Sequence, residues 1–316
     1  MRVLVIGGSG FIGTRLIEQL VERGDEVVNL DLRGSTPFDR ITQIGDVRDA
    51  DAVRTAATGA DAIVLLAAEH RDDVRPVSRY ESVNVDGAQV VADVAASLGI
   101  TRIVFTSTVA VYGIDRPNPN EDTEPAPFNE YGRTKLLAEG VLSRWAAEAA
   151  DRSLLIVRPC VVFGEDNRGN VYNLMKQISS KRFLMVGNGS NRKSLSYVGN
   201  IVDFLSARIA GSSGTELINY ADKPDMSQRE IVTAIRTGLG FSPRLPVYLP
   251  LWLGLAIGYA FDVLARIARR SLPVSSVRVR KLCAETTIAT QRLQASGYVA
   301  GVRLPDALEL TVKSEF

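Results

Sequence analysis

The chain has 316 residues, of which 46% are hydrophobic and 23% charged, and its 37 Lys and Arg nearly balance 36 Asp and Glu. That length and apolar fraction suffice for one large α/β unit with a smaller lobe, and a formal charge of +1 gives no global attraction to nucleic acid. The two cysteines, Cys160 and Cys283, lack metal-ligand spacing, so no metal is expected and a reducing compartment fits; Cys160, inside an apolar run, reads as a small core residue.

At the start of the chain the apolar run Val3–Ile6 enters Gly7-Gly8-Ser9-Gly10-Phe11-Ile12-Gly13 and then a helix-like stretch that reaches Arg23. Strand, glycine turn and helix in this order receive a dinucleotide pyrophosphate, because missing side chains let the backbone approach the phosphates at a helix N-terminus. Gly7 is expected to make the tight turn, Gly10 to allow the close approach and Gly13 to pack helix on strand, with Phe11 and Ile12 also at the cofactor. Because this motif begins beside Met1-Arg2, no cleaved signal peptide is expected and the chain is read as cytoplasmic.

The next strand-like run, Glu26–Leu30, ends in Asp31, close to the distance at which a carboxylate receives the adenosine ribose hydroxyls. A carboxylate there repels a 2′-phosphate, so NAD is favoured over NADP, although Arg33 could offset part of that charge. A third strand within Ile41–Gly45 would bring Asp46 and Val47 to the adenine. The fourth ends at Leu65-Leu66-Ala67-Ala68, with Ala67 on the cofactor's path. His70, the sole histidine, follows it as either a polar loop residue or a catalytic one.

Short β-branched runs then alternate with helical stretches: Ala62–Leu66, Pro76–Leu98, Arg102–Thr106, Tyr131–Ala149 and Leu154–Arg158. This alternation predicts an α/β fold, a Rossmann-like doubly wound parallel sheet covered by helices on both faces, with a smaller mixed C-terminal substrate lobe. Residues 1–167, joined again by 194–220, form the expected NAD-binding domain. Residues 168–193 and 221–316 form the expected substrate-binding lobe. Arg116–Asn129 reads as the longest loop.

The chemistry concentrates at Phe105–Gly113 and at Tyr131 and Lys135. Four residues apart on a helix, Tyr131 and Lys135 share a face, so the ammonium is expected to stabilise the phenolate and lower the tyrosine pKa, making Tyr131 a general acid/base. Thr108, just past a strand end, is placed to hydrogen-bond the substrate oxygen that alternates between alcohol and ketone, with Ser107 the neighbouring candidate. In isolation such a Tyr/Lys pair is more often an exposed helix pair without chemistry.

From Val3 to about Asn219, with Asn84-Val85-Asp86-Gly87, Arg158-Pro159 and Tyr197-Val198-Gly199-Asn200 included, the chain resembles the extended short-chain dehydrogenase/reductase family of nucleotide-sugar epimerases and dehydratases. The resemblance implies NAD as cofactor, Tyr131, Lys135 and Thr108 as the catalytic positions, and a homodimer formed through helices including Pro76–Leu98 and Tyr131–Ala149. Val109-Ala110 stand where the sugar 4,6-dehydratases of the family carry Asp-Glu, so water elimination is not expected. What remains is reversible oxidation at a sugar carbon, most simply 4-epimerisation. For the substrate diphosphate the resemblance points to Asn170 and to Arg192 or Lys193; Arg280 and Lys281 are further possibilities by charge alone.

Ile41–Asp49, Leu65–Val74, Arg168–Gln177 and Val274–Cys283 resemble, more specifically, bacterial epimerases that interconvert N-acetylglucosamine and N-acetylgalactosamine on undecaprenyl diphosphate in O-antigen assembly. That implies a lipid-linked, polyprenyl-diphosphate amino sugar as partner. A soluble UDP-N-acetylhexosamine 4-epimerase, an NAD-dependent sugar dehydrogenase/reductase and a catalytically idle cofactor-binding regulator are the alternatives.

Leu245–Phe261 is 17 residues without a charge. It is interrupted by Pro246, Pro250, Gly254 and Gly258 and falls short of the ~20 apolar residues that span a bilayer. Arg266, Arg269, Arg270, Arg278, Arg280 and Lys281 follow, with Asp262 the one acidic residue up to Ala284. An apolar segment beside a basic cluster suits peripheral contact with the inner face of the cytoplasmic membrane. On composition alone the same segment more often buries its apolar face in the small lobe or a dimer interface; the resemblance to epimerases of lipid-linked sugars favours the membrane.

Overall fold

The computed structural model describes residues 1–71, 74–114, 116–211, 214–242, 248–268 and 276–316. Leu245, Pro246, Arg269 and Arg270 lie outside the described residues, as do the side chains of Arg266, Arg278 and Lys281.

Twelve strands are assigned among them: β1 (Arg2–Ile6), β2 (Glu26–Asp31), β3 (Thr42–Ile44), β4 (Ala62–Leu65), β5 (Arg102–Thr106), β6 (Ser153–Pro159), β7 (Val161–Phe163), β8 (Met185–Val186), β9 (Arg192–Tyr197), β10 (Thr215–Tyr220), β11 (Asp222–Ser227) and β12 (Tyr248–Leu249). Seven of these form one parallel sheet in the order β10-β6-β5-β4-β1-β2-β3. Its strands are apolar on both faces because helices cover both. Leu4 and Ile6 enter a core with the helices Ala50–Ala57, Gly87–Leu98 and Glu130–Ala147. Val3 and Val5 alternate to the opposite face, the side of the buried residues of the helices Phe11–Glu22 and Val198–Gly211.

The chain forms two compact units. The first comprises Met1–Val162, Val198–Ala221 and Ile288–Gly301; the second comprises Phe163–Tyr197, Asp222–Thr287 and Val302–Phe316. Ile288–Gly301, placed in the lobe on sequence grounds, groups with the first unit for a physical reason. Asn219 donates through Nδ2 to the Ala289 carbonyl at 3.2 Å, Tyr298 donates to the Asn200 carbonyl at 2.5 Å, and the Tyr298 ring packs edge-on against Phe204.

The expected continuous helix Pro76–Leu98 is divided. Ser78–Glu81 and Gly87–Leu98 are α-helical, but Ser82–Asp86 between them is a π-turn. The wider turn accommodates the buried Asn84, whose carboxamide accepts from the Glu69 amide at 2.8 Å and donates to the Glu69 carbonyl at 3.1 Å and to Thr134 Oγ1 at 2.9 Å. Asn84 thereby joins the segment after β4 to the helix that carries Tyr131.

Gly7 lies at φ +87°, and a Cβ there would stand 2.6 Å from the Ala67 amide nitrogen, which donates to the Ile6 carbonyl. At Gly13 a Cβ would stand 2.5 Å from Gly8 Cα. The turn is thus closed from both sides by backbone, and only glycine fits these two places.

In the second unit, β9 and β11 run antiparallel in a three-stranded sheet that ends with β7, and β8 pairs in parallel with β12. Phe163, Met175, Phe183, Met185, Leu195, Ile231 and Leu308 are among its core residues. The helix Gln228–Gly238 starts at a capping box: Ser227 Oγ accepts from the Glu230 amide at 3.2 Å and Glu230 Oε2 accepts from the Ser227 amide at 2.7 Å. The helix Leu251–Ala268 presents Gly254 to β8, where a Cβ would meet Val186 Cγ1 at 2.5 Å. Among the described residues no helix is long and apolar enough to cross a membrane.

Candidate active site

The site is built at the carboxyl ends of the parallel strands, where such folds receive ligands. Gly10 starts the helix Phe11–Glu22 and brings no side chain to cap it, so the Phe11 and Ile12 amides have no intrahelical acceptor. A Cβ on Gly10 would meet Gly7 O alone, at 3.2 Å, so the approach to those amides is open. Free amides at the positive end of a helix dipole suit a pyrophosphate. Asp31, at the end of β2, accepts from the Ser9 amide through Oδ2 and the Arg33 amide through Oδ1, each at 3.0 Å, which fixes the carboxylate beside the glycine turn. These residues fit NAD.

Asp46 is held by Arg48, whose Nε donates to Oδ1 at 2.9 Å; that guanidinium keeps the Asp46 carboxyl below its ordinary pKa. The side chain of Val47 is buried in the sheet core, against Gly87. His70 is exposed just past β4. Cys160 is buried with Ala221 and Ile288. Among the described residues no cluster of His, Cys, Asp or Glu is placed to hold a metal ion.

Tyr131 stands in the first turn of the helix Glu130–Ala147, capped by Asn129 Oδ1, which accepts from the Gly132 amide at 2.9 Å. Gly132 has a role the sequence does not announce: a Cβ there would lie 2.6 Å from the Ala110 carbonyl oxygen. Its absence lets the helix settle on the 3₁₀ turn Val109–Tyr112, which leaves Thr108 close enough to Tyr131 to act on its pKa. Thr108 Oγ1 also accepts from the Ala110 amide at 3.1 Å, so its orientation is fixed.

Lys135 is 1% exposed, with Nζ 4.0 Å from the centre of the Phe105 ring. Burial drives its pKa down to about 7, against the opposing pull of Glu139. Burial pushes Tyr131 up to about 12, and the group that works against the rise is Thr108. The expected lowering of the tyrosine pKa by Lys135 is therefore corrected. Sharing a helix face does not by itself couple the two groups: loss of water penalises both charged forms, and the groups that oppose it are Thr108 at Tyr131 and Glu139 at Lys135.

Ser107 does not face Tyr131 as Thr108 does. Its hydroxyl donates to Glu139, a buried carboxylate that also accepts from Arg158 Nε at 2.9 Å and Nη2 at 2.5 Å. Arg158 Nη1 donates to the Tyr112 hydroxyl at 2.8 Å, which donates to Asn219 Oδ1 at 2.8 Å. Glu139 and Tyr112 were missed from sequence. The available signal was the placement of Glu139 one turn beyond Lys135.

In the second unit, Asn170 opens the helix Asn170–Ser179 and is exposed. Arg192 is exposed and donates to the Asp225 carbonyl, whereas Lys193 is half-buried and donates to the Ala284 carbonyl at 3.1 Å. Burial lowers the Lys193 pKa.

The sequence profile of the NAD-dependent epimerase/dehydratase family matches residues 3–218. The chain belongs to this family. It is 47% identical over 317 aligned residues, 99% of this chain and 95% of the relative, to the N-acetyl-alpha-D-glucosaminyl-diphospho-ditrans,octacis-undecaprenol 4-epimerase of Escherichia coli O157:H7. A UDP-glucose 4-epimerase of Vibrio cholerae is 27% identical, with 84% of each chain covered. The fold matches that of a Thermus thermophilus UDP-glucose 4-epimerase solved with NAD, at a TM-score of 0.76, 21% identity and coverage of 99% of this chain and 98% of that one.

One buried residue of this NAD-dependent epimerase/dehydratase titrates far from its usual range. Lys135 has a folded pKa of about 7, below the ordinary lysine value of about 10.4. Between these values the unfolded chain binds the extra proton, so stability rises with pH; below about 7 the burial penalty is present in full. Lys135→Met, similar in length and uncharged, should therefore raise the thermal midpoint of the cofactor-free protein by a few degrees (about 2–5 °C) at pH ~6.5, with the gain shrinking by pH ~10. Midpoints measured across that range check this, and a gain that does not change with pH would contradict it.

Proposed function

We propose that this protein is an NAD-dependent 4-epimerase that interconverts N-acetylglucosamine and N-acetylgalactosamine on undecaprenyl diphosphate, through a transient 4-keto sugar, in surface polysaccharide assembly. The observation that carries the substrate assignment is the 47% identity to the Escherichia coli epimerase across 99% of this chain, second unit included. The first unit supplies the chemistry. Tyr131 takes the proton of the C4 hydroxyl and later returns it, and Thr108 hydrogen-bonds the C4 oxygen as it passes between alcohol and ketone. NAD held at the glycine turn and Asp31 would supply a hydride acceptor for C4 and a positive charge that favours the Tyr131 phenolate, with the hydride returning to the opposite face of the sugar. No net oxidation results, because the same hydride returns to the same carbon.

Gly7, Gly10, Phe11, Ile12 and Gly13 would receive the pyrophosphate and Asp31 the adenosine ribose, while Asp46, Val47 and Ala67 would border the adenosine through backbone or half-buried atoms. Tyr131 and Lys135 would face the nicotinamide ribose. Asn170, with Arg192 or Lys193, would hold the substrate diphosphate. Val109-Ala110 offer no acid or base for dehydration.

The lipid carrier gives the protein a reason to rest on a membrane. The helix Leu251–Ala268 exposes Trp252 to 70%, with Ile257, Tyr259 and Leu264 also exposed. Arg280, itself exposed, donates to the Tyr259 hydroxyl. An uncharged aromatic face with a cation at its rim is suited to the headgroup boundary of an anionic bilayer.

Three measurements test this reading. Purified protein with NAD, offered N-acetylglucosamine on either polyprenyl diphosphate or UDP, should epimerise the lipid-linked sugar, and Tyr131→Phe should lower turnover by about 10²–10⁴-fold while still binding NAD. Conversion of the UDP-sugar alone would remove the lipid substrate, and an active Tyr131→Phe would remove the mechanism. Trp252→Glu should weaken sedimentation with phosphatidylglycerol vesicles by roughly tenfold, since about 1.4 kcal/mol of aromatic insertion is at stake; equal binding would argue against this face. Analytical ultracentrifugation should give the mass of two chains, in line with a homodimer through the helices Gly87–Leu98 and Glu130–Ala147, and a single-chain mass would exclude it.

A further inference from the structure

We propose that Glu139 is a positioning residue for the reaction: pinned by Arg158 and Ser107, its carboxylate holds the charge on Lys135 and the placement of Thr108. This inference rests on the reading of Tyr131, Lys135 and Thr108 as the reacting machinery.

Glu139 lies four residues beyond Lys135 on the same helix, so the two share a face, and both are buried, at 5% and 1% exposure. An ionised carboxylate only accepts hydrogen bonds. Here Oε1 accepts from Arg158 Nε at 2.9 Å and from the Ser107 hydroxyl, and Oε2 accepts from Arg158 Nη2 at 2.5 Å. A carboxylate clamped on both oxygens cannot rotate, so its effect on Lys135 is a fixed field rather than a mobile contact. The Arg158 guanidinium is itself shared with Tyr112, which accepts at 2.8 Å and whose ring centre lies 4.9 Å away.

Lys135 meets the ring of Phe105 on its β5 side, which cannot titrate. The ionisable groups on the other elements packed against this helix are engaged elsewhere. Glu81 pairs with Arg133, Asp86 acts on Arg48, Asp93 accepts from Gln89, and burial keeps Tyr112 protonated. Glu139 is the carboxylate that favours the ammonium form of Lys135. Its second effect runs through Ser107, which directly precedes Thr108: fixing the serine hydroxyl fixes the start of the turn that presents the threonine to Tyr131.

The test is the pH profile of kcat for the full chain with NAD and polyprenyl-diphosphate N-acetylglucosamine in detergent. In Glu139→Gln the loss of activity at high pH should begin roughly one unit lower than in the unaltered protein, and Glu139→Asp should restore part of the shift. Glu139→Gln leaves Arg158 buried without its carboxylate, so Glu139→Gln with Arg158→Met is the companion variant. It should fold and bind NAD, and its profile should fall between the other two. A lowered kcat with an unmoved profile in the double variant would overturn the proposal, leaving the pair a packing feature. If Tyr131→Phe is inactive and Glu139→Gln keeps the original profile, this inference fails alone; if Tyr131→Phe is active, the reading beneath it fails.

Discussion

The buried ion pair between Glu139 and Arg158 is the interaction through which the separate parts of the first unit hold one geometry. It spans from the middle of the tyrosine helix to the end of β6, and its hydrogen bonds extend through Ser107 to the end of β5 and through Tyr112 to Asn219 at the end of β10. Removing two charges from water is costly, and replacing such pairs with apolar residues is often neutral or favourable to stability. A pair retained beside the proposed proton-transfer residues is therefore better understood through what it orients than through what it stabilises.

The same loss of water governs the two groups proposed to react. Lys135 falls to about 7, within reach of neutral pH, whereas Tyr131, at about 12, needs additional positive charge before it can release its proton. A base that becomes competent only with a cationic cofactor in place would leave the cofactor-free protein quiet towards its sugar.

Those parts of the site that depend on residue type at a fixed local spacing were legible in the sequence. Gly7 and Gly13 sit where backbone leaves no room for a Cβ, Asp31 ends β2 beside the turn, and Thr108 acts on Tyr131. The parts set by tertiary contact were not. A glutamate on a helix reads as solvated, and nothing local to Glu139 announces an arginine 19 residues later on a neighbouring strand. The π-turn at Asn84 is hidden in a continuous helical pattern, because what widens it is a carboxamide reaching Glu69 and Thr134. The direction of the Tyr131 shift is hidden for a related reason: spacing gives proximity, whereas the surrounding dielectric is a property of the folded chain.

The return of Ile288–Gly301 to the first unit bears on how such a protein can change over time. The chain passes between the two units at residues 162/163, 197/198, 221/222, 287/288 and 301/302, so neither unit is a continuous stretch of sequence. The family profile ends at residue 218, short of the segment whose Ala289 carbonyl receives Asn219. No single cut separates the two units: a gene segment that carries either one whole also carries part of the other. New sugar specificities are then more accessible by substitution within the existing chain than by exchange of a substrate-binding module, and the two units must be inherited, and must diversify, together.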